Sequence, residues 1–359
     1  MNSSSTIATK SKIRLSNIEA LRIISMFLVL IVHADFFSFG PPSSAFLKEN
    51  PIFGLGQYFF ESISIVCVNV FILISGWFGI NASIKGFAKF IFQCLFFLVG
   101  IFVVCLSFGL IDFTVSNLLK GIAGCLVMLK WNWFIKAYIG LFIFAPVLNA
   151  FINNAGKKSI EYFLISFYIF QTLYSWFSNS AEFLASGYST ISFAGLYILA
   201  RYAKLYPNKL TQKTYQNDLL MFSIITLFMT ITSFSAVYFT NNQTLNEFLM
   251  NRMFNYTNPL VIASSQYLLL AFSKMNFQSG IINKIAASSF AVFLLHTNPN
   301  LCKQYFIPTI HLLNKEFSGI LFLITTLLFL ISVFFVAILI DQLRIYLWNK
   351  IEKSTKVFK

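Results

Sequence analysis

Residues 17–35 read NIEALRIISMFLVLIVHAD, from Asn17 to Asp35. An apolar run, Ile23 to Val32, is bracketed by Glu19 and Arg22 before it and by His33 and Asp35 after it. It continues past Asp35 into Phe36 and Phe37 with no small-x-small cleavage pattern, so it is expected to stay in the protein as a first membrane span. Arg22 and His33 are eleven residues apart, which on a helix returns to nearly the same face about 16 Å further along the axis. One stripe therefore carries a guanidinium near one end and an imidazole near the other. Glu19, three residues before Arg22, is placed to hold the guanidinium. Ionisable groups inside a span are costly and are functional candidates by default.

The rest of the chain sets this segment in a membrane protein. Of 359 residues, 57% are hydrophobic and only 11% charged, with a mean hydropathy of +0.75. A soluble surface needs roughly a quarter of its residues charged, so an ordinary soluble domain is excluded. The expected fold is all-α: a polytopic bundle of about ten spans with both termini cytoplasmic. The apolar runs are 18–39, 57–80, 87–111, 132–152, 159–178, 189–206, 217–239, 255–273, 285–304 and 317–347. Residues 1–16 read as a cytoplasmic tail, 17–347 as the membrane domain and 348–359 as a basic cytoplasmic tail. The apolar stretch 115–129, broken by Gly121 and Gly124, is too short to be a comfortable span and reads as re-entrant or interfacial.

Charge placement supports this topology. With ten spans and the N-terminus inside, eighteen Lys and Arg fall on the inner side and seven on the outer, with Arg22 in the first span. That is the positive-inside bias, and it accounts for the net charge of +14 without invoking nucleic acid. Cys67, Cys94, Cys105, Cys125 and Cys302 lie mostly in apolar runs and form no CxxC pair, so they read as small buried hydrophobes rather than metal ligands. The same topology puts His33, Asp35, Glu61, Asp112 and His296 in the outer half, a depth shared by enough ionisable groups to imply a polar cavity. Lys85 and Lys89 follow the second span on the inner side, where they are either topology determinants or contacts for an anionic ligand. Asp341 and Arg344 read as a helix-end salt bridge.

Those residues fall in patterns that resemble the acyltransferase-3 family of integral membrane acyltransferases. Arg22, ten residues and His33 are similar to its Arg-x10-His signature. Val70-Phe-Ile-Leu-Ile-Ser75-Gly76-Trp77-Phe78 is similar to its Phe-x-x-Ser-Gly stretch. Trp131 to Asn149, with Trp133, Phe134, Tyr138 and Pro146, resembles its aromatic-Pro-Asn span. Ser289 to His296 resembles its Ser-x-x-x-Tyr-Leu-x-His element, with Phe293 where Tyr is usual, and Asp341-x-x-Arg344 resembles its closing helix. The resemblance runs over essentially the whole chain. Two departures stand out: Glu19-Ala20 replaces the common Asp-Gly, as in the branch that modifies capsular and cell-wall glycans, and Lys85 and Lys89 stand where many members carry an Arg-rich patch.

The resemblance implies a plasma-membrane enzyme that moves an acyl group, usually acetyl, from cytoplasmic acyl-CoA to a hydroxyl of an extracytoplasmic or lipid-linked glycan, with no metal. His33 would be the general base, its pKa range suiting the task. Glu61 or Asp35 would orient the imidazole, Glu61 being preferred because Asp35 points away from His33 on a regular helix. His296 would be a second acid/base group or a sugar contact. Arg22, Lys85, Lys89 and Ser75 fall to the donor, and Trp133, Lys136 and Asp112 to the acceptor. An acetyl-histidine intermediate stays open, as does the oligomeric state, a homodimer being one option. The rival from another class is a transporter or flippase whose buried charges relay protons. The sequence has no inverted repeat of the kind such folds use.

Overall fold

The computed structural model describes residues 14–127, 130–177, 184–240 and 242–354. The tail residues 1–13 and 355–359, and 128–129 of the short apolar stretch, lie outside the described residues. Among the described residues every regular element is helical.

The first half of the chain forms α1 (Ser16–Ala34), the short α2 (Phe36–Phe39) and α3 (Ser44–Glu49), then α4 (Pro51–Ser64), α5 (Cys67–Phe78), α6 (Ile84–Ser107), α7 (Val115–Leu126) and α8 (Trp133–Asn154). The second half forms α9 (Lys157–Phe177), α10 (Thr190–Leu205), α11 (Tyr215–Phe239), α12 (Gln243–Met253), α13 (Pro259–Lys274), α14 (Gly280–His296), the single turn α15 (Pro299–Leu301), α16 (Ile307–Glu316) and α17 (Gly319–Ser354). Short polar side chains start many of them. Ser83, Thr114, Asn132, Asn258 and Ser279 each accept a backbone N–H of the first turn, satisfying donors that a helix start leaves free. Pro51 and Pro259 occupy first-turn positions, where the missing N–H costs nothing.

Each of the ten apolar runs falls on one helix or on two successive ones, as 18–39 on α1 and α2 and 57–80 on α4 and α5. Among the described residues six helical stretches are long and apolar enough to cross a membrane: 16–39, 51–78, 84–107, 133–154, 215–239 and 319–354. A seventh arises if Gly280–His296 and Pro299–Glu316, bent by 53° at the break between them, form one span. The remaining runs are weaker. α10 and α13 have 16 residues each, about 24 Å of rise against a hydrocarbon core of about 30 Å. α9 is interrupted by Gln171, Thr172 and Ser175. α7 has 12 residues and lies along α6, with Gly121 so close to the Phe102 ring that a Cβ would collide with it. At the far end, α17 passes unbroken through the expected tail boundary at 347 to Ser354.

α1 and the α4–α5 span form the centre. α1 packs against α4, α5, α13 and α14, while α5 packs against α10 and α13. Gly76 allows the last approach: a Cβ there would sit 2.3 Å from the Tyr197 carbonyl oxygen, so only glycine lets the two backbones meet. Asn149 of α8 ties the same junction. Its amide donates to the Ile80 carbonyl (3.0 Å), and its oxygen accepts from Tyr197 Oη (2.7 Å). The Ser-Gly and Pro-Asn patterns thus include residues that build the bundle. All five cysteines are free and buried.

Candidate active site

Two histidines from helices far apart in sequence meet inside the bundle. At their starts, α1 and α14 are pinned together: the Ser279 N–H donates to Ser16 Oγ (2.9 Å), which also lies 3.0 Å from Asn283 Oδ1. His33 and His296 each lie seventeen residues beyond that pair. Two parallel helices with equal rise carry both rings to the same depth, about 25 Å along. The rings contact edge to face, with centroids 5.0 Å apart. Phe37 packs on His33 (4.8 Å) and Phe306 on His296 (5.4 Å).

The main chain fixes both tautomers. His33 Nδ1 lies 2.8 Å from the Val29 carbonyl oxygen, and His296 Nδ1 lies 2.6 Å from that of Val292. A carbonyl only accepts, so each Nδ1 carries the hydrogen, and in the neutral ring Nε2 keeps its lone pair. His296 is 2% exposed, and its Nε2 is buried without a partner. A ring nitrogen that keeps its lone pair, on an imidazole in contact with a second one, is suited to proton abstraction from a bound hydroxyl.

Two carboxylates follow, one at the end of α1 and one on α4, with no hydrogen bond to either histidine among the described residues. Asp35 terminates α1, and its Oδ1 accepts from Gln57 Nε2 (3.3 Å), while its Oδ2 is buried and unpartnered. Glu61, one turn after Gln57 on α4, is 3% exposed, its Oε2 likewise buried and unpartnered. It lies within Coulombic reach of Asp35. Among the described residues Glu61 makes no hydrogen bond to His33; the Val29 carbonyl takes His33 Nδ1, since a histidine in the last turn of a helix reaches the carbonyl four residues back.

The opposite end of the bundle holds the donor candidates. Arg22 pairs with Glu19 as the spacing predicts, Nε to Oε2 3.4 Å. Lys85 is exposed and forms an ion pair with Glu352, so one of the two lysines expected to face an anion already has an acidic partner. Lys89 is exposed and lies within Coulombic reach of Arg14 and of the Arg344–Asp341 pair, whose two charges offset each other. Ser75 Oγ donates to the Phe71 carbonyl (3.0 Å) and lies 3.3 Å from Tyr138 Oη.

Trp133 belongs to an aromatic cluster with Tyr188 (4.3 Å) and Tyr256 (6.0 Å). Lys136 and Asp112 are exposed, and no contact joins either to the histidine pair. Sequence reading missed Gln57, a neutral amide that gives no charge signal, and the carbonyls of Val29 and Val292, which only helix geometry reveals. Among the described residues no three His, Cys, Asp or Glu side chains gather to hold a metal ion.

A helical membrane bundle that brings two histidines into contact and buries a ring nitrogen and carboxylate oxygens without partners has the make-up of a membrane enzyme. The family model described as an acyltransferase domain matches residues 15–341. The chain belongs to the acyltransferase-3 family, and the match makes it a membrane acyltransferase. No curated protein and no solved structure matches it.

Proposed function

We propose that this acyltransferase moves an acetyl group from cytoplasmic acetyl-CoA to a hydroxyl of an extracytoplasmic glycan, with His33 as general base. The observation that carries the reading is the His33–His296 contact, in which both Nδ1 atoms are occupied by main-chain carbonyls. His33 Nε2 takes the proton of the acceptor hydroxyl. The hydroxyl oxygen attacks the thioester carbonyl, the carbon–sulfur bond breaks, and the coenzyme A thiolate leaves and takes up the proton. His296 holds the acceptor hydroxyl or passes the proton on. Arg22 and Lys89, at the basic end, hold the nucleotide part of the donor. In this reading the ten apolar runs all span the plasma membrane, both termini are cytoplasmic and the histidines lie toward the outer face. Arg22 and His33 are then separated by about 16 Å of helix, a gap the long thin pantetheine arm bridges.

The test is acetyl transfer by the purified full-length protein in lipid nanodiscs. Labelled acetyl-CoA is offered with a panel of surface glycans and simple sugars. Label appearing on a sugar hydroxyl, with coenzyme A released in step, is the expected result, and both signals fall in His33→Ala and His296→Ala. A folded wild-type sample that neither binds nor cleaves acetyl-CoA overturns the reading.

A further inference from the structure

A groove of about 760 Å³ opens between α4 and α17, floored by the last turn of α1 and by α2. Both flanking helices pack on α1. Its walls are mainly apolar, with Ile31 and Phe39 on the floor and Ile320, Leu323 and Leu327 on α17, while the exposed Glu49 and Asn50 line it where α3 meets α4. Ile320 is 72% exposed, so this wall faces the surroundings of the bundle, which in a membrane are lipid chains. Gly56 lines the opposite wall, with nothing within 4 Å of where its Cβ would be. Asp35 and Gln57 also line it.

The carboxylate defines the occupant. Asp35 Oδ2 is buried with no hydrogen-bond donor, and Glu61, with its own orphan oxygen, is within Coulombic reach. At hydrocarbon depth an acceptor left without a donor is costly. A phosphate head would bring like charge to the two carboxylates, whereas a neutral hydroxylated head brings the donors they lack. The volume admits a ring together with a chain.

We infer that this groove binds the hydrocarbon chain of a lipid-anchored, neutral hydroxylated acceptor, entering sideways from the bilayer with a head-group hydroxyl donating to Asp35. The inference rests on the acyltransferase reading for its purpose but not for its binding. Asp35 is two residues from His33 in the chain, so the groove ends at the stretch of α1 that carries the base.

The experiment uses the full-length protein in nanodiscs and a dodecyl glucoside carrying a diazirine in its chain. Crosslinks are expected within 49–60 and 319–330, and to drop at least fivefold in Gly56→Trp, which fills open space, and in Leu327→Trp on the facing wall. In acetyl transfer, dodecyl glucoside should show a KM at least tenfold below that of methyl glucoside. Gly56→Trp should erase the difference while transfer to methyl glucoside stays within twofold. Crosslinks elsewhere, or crosslinks that neither variant reduces, overturn the groove, as does an equal KM for the two glucosides. Groove crosslinks from a protein that transfers no acetyl group keep this inference and remove the enzymatic reading. Transfer without groove crosslinks does the reverse.

Discussion

The two ends of the bundle treat their charges in opposite ways. At the end where α1 begins, carboxylates have basic partners: Glu19 with Arg14 and Arg22, Asp218 with Lys274, Asp341 with Arg344, Glu352 with Lys85, and Glu161 with Lys157. At the end where α1 stops, Asp35 has only Gln57, Glu61 has an orphan oxygen, and His296 has an orphan Nε2. Pairing of this kind serves folding. Buried groups held without partners add nothing to stability, so their retention points to a ligand that satisfies them.

This contrast can be broken by substitution. The largest effect is expected at the unpaired end: His33→Ala should lower acetyl transfer by about 10²–10⁴-fold, the usual range for a general base, with the melting temperature nearly unchanged. At the paired end the response should be in stability. Arg344 is 2% exposed and bound to Asp341 through two hydrogen bonds of 2.9 and 2.6 Å. Arg344→Ala leaves the buried Asp341 carboxylate with only the Gln93 amide as a donor and should cost about 3–5 kcal/mol, read by thermal or denaturant unfolding. The double variant Asp341→Asn with Arg344→Met should recover most of that loss.

Glu61→Gln sharpens the comparison further. Removing an unpaired buried carboxylate should leave the melting temperature unchanged or higher, while transfer falls at least tenfold. A fall in melting temperature would mean that Glu61 is a structural group. The smallest effect is expected at Lys85→Ala. The Lys85–Glu352 pair is exposed, and such pairs add little, so melting should not move measurably. A rise in the KM for acetyl-CoA without a change in melting would assign Lys85 to the donor instead.

The sequence is most legible where one helix carries the whole signal. The Glu19–Arg22 pair follows from a three-residue spacing, and His33 stands out because an imidazole inside an apolar run is rare. Signals divided between helices are harder to read. His33 and His296 were each visible, but their contact depends on the Ser16–Ser279 pin that sets the register of α1 against α14. Lys85 looked free because Glu352 lies 267 residues away. Glu61 looked like the orienter of His33 because a carboxylate is the familiar partner, whereas the carbonyl of Val29 is present on any helix. In the fold, α10 and α13 were readable as apolar runs but are shorter than a full crossing, since their burial against α5 rather than lipid contact governs their composition.

The most direct test compares His33→Ala and Arg344→Ala in one preparation, measuring melting temperature and acetyl-CoA turnover per folded molecule. The account predicts a clean crossing: His33→Ala melts like wild type and does not turn over, while Arg344→Ala melts many degrees lower and, kept cold and folded, turns over normally. Wild-type turnover in His33→Ala, or loss of turnover in folded Arg344→Ala, would contradict the division between a chemical end and a structural end.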